Sequence, residues 1–205
     1  MNRDILNLCI LLIFCVVILY CLLHKSKQIK GGSDPKVCRY YITSETSKYP
    51  EAKFKSEVKE ILQEIPDITF VETAAPDAQI KIALVDRSAL DKFHDKNAKV
   101  RYSITSYGSD YTIPTSMIDV ENYTNGVDIS KFNQADYKKY VIIHEVLHAL
   151  GFDHVECLDN QKCNVMHQHT RGIPQTSTPN YRVTLPELKT MPRLPNHPYI
   201  NMFTF

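Results

Sequence analysis

The 205 residues carry 24 Lys plus Arg against 23 Asp plus Glu, a net charge of +1, so no basic field is present to recruit nucleic acid. The length suits one domain of ordinary size with appendages, enough to bury a core without disulfide staples. Six cysteines divide evenly between a hydrophobic N-terminus (Cys9, Cys15, Cys21) and the remainder (Cys38, Cys157, Cys163).

After a tip of residues 1–4, Ile5 to Leu23 is apolar except for Asn7 and Tyr20. At about 1.5 Å per residue this stretch is just long enough for a hydrocarbon core of roughly 30 Å, and it reads as a transmembrane anchor. A cleaved signal peptide would have a shorter apolar region followed by small residues, whereas Leu22-Leu23-His24-Lys25 follows here. Its cysteines read as small apolar residues, with Cys21 near the boundary open to acylation. Residues 24–36 are polar and contain Gly31-Gly32-Ser33-Asp34-Pro35, a flexible linker.

The main domain is expected over residues 37–170. Arg39 to Thr43 is rich in β-formers and predicts a first strand. Pro50 opens a helix at its first position, with Phe54, Val58, Ile61, Leu62 and Ile65 along one side. Ile68–Thr73 and Gln79–Val85 predict two more strands, the latter with Ile80, Ile82 and Leu84 on one face. Val100–Ser106 and Thr112–Val120 predict a further pair around the turn Gly108-Ser109-Asp110. His94 reads as a loop histidine. Asn122-Tyr123-Thr124 satisfies the glycosylation sequon. Asn133 predicts an N-cap, with Asp136 favouring the positive helix end.

The helix that follows holds His144-Glu145-Val146-Leu147-His148-Ala149-Leu150-Gly151-Phe152-Asp153-His154. Histidines four apart on a helix share one face, roughly 6 Å apart, so His144 and His148 reach one metal. Gly151 can take the positive φ that ends a helix abruptly, which delivers His154 as a third ligand. The apolar residues around the ligands bury the helix and set the metal on the floor of a cleft.

This HExxHxxGxxH pattern resembles the metzincin zinc peptidases at His144, Glu145, His148, Gly151 and His154. Met166, in Cys163-Asn164-Val165-Met166-His167, stands where the family carries a methionine turn, at a somewhat longer interval than in the matrixin branch. The resemblance implies Zn2+ on His144, His148 and His154, and Glu145 as the base that takes a proton from a zinc-bound water. It implies an α+β fold, a twisted mixed sheet with two helices, a zinc cleft and a small irregular C-terminal part. A strand at the cleft's edge would pair with substrate backbone. Between the anchor and Cys38 there is no room for the zinc-blocking pro-segment of the matrixin branch. Cys38 lacks the pattern of a blocking thiol and reads as structural. Gln168 stands where one branch places a tyrosine that assists the zinc.

Cys157 and Cys163 are close enough to bridge, and pairing of either with Cys38 is also open. His167 and His169 read as residues around the site or at the surface. Residues 171–205 hold six of the eleven prolines, a density that forbids long helices, although Leu185–Thr190 can form a turn or two. Phe203 and Phe205 either pack on the domain or meet a partner. Orientation is contested: Lys25, Lys27 and Lys30 favour a cytoplasmic domain, while the cysteines, the sequon and the family habit favour the extracytoplasmic side, which is the expectation adopted. The expected function is that of a membrane-anchored zinc endopeptidase acting on proteins or peptides. The rival is a membrane-tethered binding or structural protein that keeps its metal without turnover, against which the presence of Glu145 argues.

Overall fold

The computed structural model describes residues 36–94, 102–108 and 111–205. The expected span at Ile5–Leu23 lies outside the described residues, and among those described no helix is long and apolar enough to cross a membrane. A five-stranded sheet runs in the order β2-β1-β3-β5-β4. Its strands are β1 (Lys36–Ser44), β2 (Ile68–Glu72), β3 (Ile80–Val85), β4 (Ile104–Gly108) and β5 (Tyr111–Asp119). β1 pairs in parallel with β2 and β3, β3 in parallel with β5, and β4 antiparallel with β5. The mixed sheet and α+β class expected from the sequence are therefore present.

Strand alternation explains the placing of β1: Cys38, Tyr40 and Ile42 are buried while Val37 and Arg39 face outward. The Cys38 thiol is free and wholly buried in this core, and burial pushes it up to about 12. On β3, Ile80, Ile82 and Leu84 join the main core, whereas Ala83 and Val85 turn to a second cluster with Leu90 and Met117. One apolar face was expected of this strand, and both are covered. The second cover comes from the 3-10 helix Arg87–Phe93.

The first helix, α1 (Glu51–Leu62), buries Phe54, Val58, Ile61 and Leu62. Pro50 is its N-cap and not its first helical residue. Ile65 is buried beyond the helix end. β5 stops at Asp119, one residue before the expected end, because the Asp119 carboxylate accepts from Asn122 N–H and caps α2 (Val120–Asn125). Arg87 grips the same carboxylate at 3.0 and 3.1 Å. The glycosylation reading is corrected by this cap: Asn122 is only 7% exposed, and its side-chain oxygen accepts from Arg87 at 2.8 Å.

The two long helices are joined by a polar network. Glu57 on α1 accepts from Tyr123 on α2 at 2.8 Å, from Tyr49, and from Lys138 at 3.0 Å on α3 (Gln134–Ala149). Burial by itself would raise Glu57, but Lys138, Tyr123 and Tyr49 together hold it below the usual carboxylate range. A folded-state pKa below the unfolded one contributes stability above the unfolded value, which is lost as pH falls through the folded one. Glu57→Gln is therefore expected to cost roughly 1–3 kcal/mol at pH 7. Urea unfolding should show that gap shrinking below about pH 4; a pH-independent gap would mean that the charge is not what the network uses.

α3 packs on β5, β4 and α1. Beyond it the chain is irregular except for short turns and α4 (Leu185–Thr190), which carries a capping box between Thr184 and Glu187. Phe203 is fully buried and Phe205 stacks on Phe152, so both aromatic residues pack on the domain.

Candidate active site

α3 starts where Asn133 Oδ1 accepts from Asp136 N–H at 2.9 Å. Tyr137 and every residue from Tyr140 to Ala149 are buried, so the ligand-bearing turns are held from all sides. The helix ends at Leu150. Gly151 at φ +89° lets Gly151 N–H reach His148 O at 2.9 Å and Phe152 N–H reach Leu147 O at 3.0 Å. This left-handed stop turns the chain back toward His148.

The turn brings the three imidazoles together. His148 Nε2 lies 3.1 Å from His144 Nε2 and 3.0 Å from His154 Nε2. His144 Nδ1 donates to Val165 O and His148 Nδ1 to Phe152 O, each at 2.8 Å. Burial first, and then the neighbouring imidazoles, hold His144 well below its ordinary value and His148 down to about 4. Burial lowers His154 as well. The rings of His144 and His148 are neutral with their proton on Nδ1, so each Nε2 presents a lone pair. Lone pairs facing one another at this separation have no proton to share and attract only a cation. The spacing is close to the roughly 3.3 Å between nitrogens that each lie 2.0–2.1 Å from a tetrahedral zinc. The donor set therefore fits zinc, and these three side chains are a possible zinc site among the described residues.

Glu145 is 5% exposed, and burial pushes it up to about 8, opposed by a hydrogen bond from Thr105. Thr105 Oγ1 lies 2.8 Å from both Glu145 Oε2 and Glu145 O, while Ser116 Oγ lies 3.0 Å from Glu145 O. The two hydroxyls also lie 3.0 Å from each other. With the Ser116 proton on the carbonyl, the Thr105 proton goes to the carboxylate.

Val165, whose carbonyl accepts from His144, and Met166 are both fully buried. Asn164 Oδ1 accepts from Met166 N–H at 2.8 Å and shapes that turn. Cys157 and Cys163 form a disulfide that closes the loop between the third histidine and Met166. His167 and His169 stay outside the imidazole cluster: His167 bonds backbone carbonyls, and His169 is wholly buried against Tyr140 and Phe132. His94 bonds the Tyr102 backbone at 2.9 Å and lines the cleft. Gln168 also lines this cleft of about 290 Å3, with Tyr107 of β4, Tyr140, Arg171 and Leu194.

Sequence reasoning missed Thr105, Ser116 and the two carbonyls that fix the imidazoles. Nothing in the sequence marks them, because each acts through a neighbour that only the fold supplies. A comparison with curated proteins finds no match. The Matrixin family model matches residues 33–180, well over half of the chain and spanning each of these residues. The chain belongs to the matrixin family of zinc-dependent metallopeptidases.

Proposed function

We propose that the chain is a zinc endopeptidase in which Glu145 is the general base. The observation that carries this reading is the Glu145 carboxylate, held by Thr105 and lining the same cleft as three clustered imidazoles. Zinc, when bound by His144, His148 and His154, lowers the pKa of water and polarises a carbonyl. The protein's own part is positional. Thr105 occupies Oε2, which leaves Oε1 to take the proton of the attacking water and to return it to the departing amine. β4 is an edge strand whose residues line the cleft, so an extended substrate can add to it by backbone pairing.

The test is incubation of the zinc-loaded chain with a peptide library, with and without chelator. Internal cuts that stop on chelation are expected. Intact peptides in both arms would favour the rival, a protein that keeps the metal only to bind or to hold its shape.

Thr105→Val removes the hydroxyl and keeps the shape. Hydrogen bonds to charged groups contribute about 1.5–3 kcal/mol, so kcat should fall roughly tenfold or more. KM should be little changed, and Thr105→Ser should keep most of the rate. Equal kcat in the Val variant would remove Thr105 from the site.

Ile5–Leu23 supplies the membrane anchor in this reading. The Cys157–Cys163 disulfide supports a catalytic domain on the extracytoplasmic side. Protease protection of sealed vesicles is expected to leave that domain shielded when the vesicle lumen corresponds to the exterior. Digestion from the cytoplasmic face, with free thiols at Cys157 and Cys163, would reverse the orientation.

A further inference from the structure

The three imidazoles are not held equally. His144 and His148 are buried on a helix, and each is fixed through Nδ1 by a carbonyl. His154 has a side chain 41% exposed, and its Nδ1 lies 3.9 Å from Asp153 Oδ1, too long for a hydrogen bond. Its position depends on the backbone path through Gly151, Phe152 and Asp153.

Residues beyond the family match hold that path. Asp153 N–H donates to Pro192 O and Leu194 N–H to Gly151 O, both at 2.9 Å, an antiparallel bridge between Phe152 and Arg193. The Arg193 guanidinium lies 4.0 Å over the Phe152 ring. Its Nη2 donates to Leu150 O at 2.9 Å, at the negative end of α3. The same group reaches the tail carbonyls of Tyr199 and Ile200, each at 3.4 Å, and of Phe203 at 3.3 Å. One cation thus ties the end of the ligand helix to the last described turns. His197 presses on the same corner, where a β-carbon on Gly151 would lie 2.8 Å from His197 Nδ1.

We propose that the segment 192–203 is a brace for the third zinc ligand, with Arg193 as its positioning residue. The proposal rests on the reading of His144, His148 and His154 as zinc ligands. Without the brace the turn from Gly151 to Asp153 loses two backbone bonds and its cap, and His154 must be ordered each time zinc binds. Partners that orient metal ligands typically contribute about 10- to 100-fold in affinity.

The experiment uses the purified full chain and zinc competition against a chromophoric chelator, alongside the visible absorption of the Co2+-substituted protein. Arg193→Ala should bind zinc about 10- to 100-fold more weakly with an altered Co2+ spectrum. Arg193→Lys should recover part of both. Glu57→Gln, a comparable loss of stability remote from the turn, should keep the parent affinity and spectrum. If the parent binds zinc and folded Arg193→Ala binds it equally well with the same spectrum, the brace is overturned while the site stands. If the parent binds no zinc, the site falls and the brace with it. Should Arg193→Ala not fold, hydrogen exchange in the parent decides. By linkage, zinc must slow exchange of the Asp153 and Leu194 amides if their opening releases His154, and exchange there that zinc leaves unchanged overturns the proposal.

Discussion

Glu145→Gln should bind zinc as tightly as the parent and cleave peptides about 10²- to 10⁴-fold more slowly, the usual range for loss of a general base. The substitution is nearly isosteric, so the packing of α3 is kept. Thr105 Oγ1 can still donate to an amide oxygen where it now meets Glu145 Oε2 at 2.8 Å. What is lost is the second oxygen's ability to take a proton. The three imidazole nitrogens keep their places, because the Val165 and Phe152 carbonyls that fix two of them do not touch the Glu145 side chain. Zinc content and kcat should therefore separate cleanly. Parent-like cleavage by this variant would place the base elsewhere, and loss of zinc along with activity would mean that Glu145 shapes the site instead of serving the chemistry.

The ligand helix was legible because its signals are local: a cap at Asn133, a face defined by four-residue spacing, and a glycine able to adopt φ +89°. The same holds for β1, where alternation alone separates Cys38, Tyr40 and Ile42 from their neighbours. Reading failed where a residue's conformation answers to a distant partner. Val120 carries strand propensity, yet Asp119 turns from strand to cap under the grip of Arg87, 32 positions earlier in the chain. Asn122 matched a surface motif and is consumed by that same interaction. Thr105 looked like any hydroxyl in a strand, and the fold sets it against a carboxylate 40 positions away. The proline-rich tail gave only its lack of long helices and the short helix at Leu185–Thr190, since its role depends on backbone groups of Pro192 and Leu194 meeting Gly151 and Asp153, which side-chain patterning does not encode.

His154→Ala should bind zinc about 10²- to 10³-fold more weakly. A four-ligand site supplies about 10–16 kcal/mol of binding free energy, so one nitrogen accounts for about 2.5–4 kcal/mol of it. His154 is the ligand best suited to this measurement. Replacing His144 would open a void in a buried helix and strand the Val165 carbonyl, mixing folding with binding. The His154 side chain is 41% exposed and makes no carbonyl bond through Nδ1, so its loss should leave the zinc-free fold nearly unchanged. A ligand that binds only the folded state raises the unfolding temperature by an amount that grows with the logarithm of its affinity. Zinc should therefore raise the midpoint of the parent chain substantially and that of His154→Ala by clearly less, while the two midpoints agree under chelation. Equal gains with zinc, together with full metal content after dialysis, would show that the ion is held by His144 and His148 with some other third group.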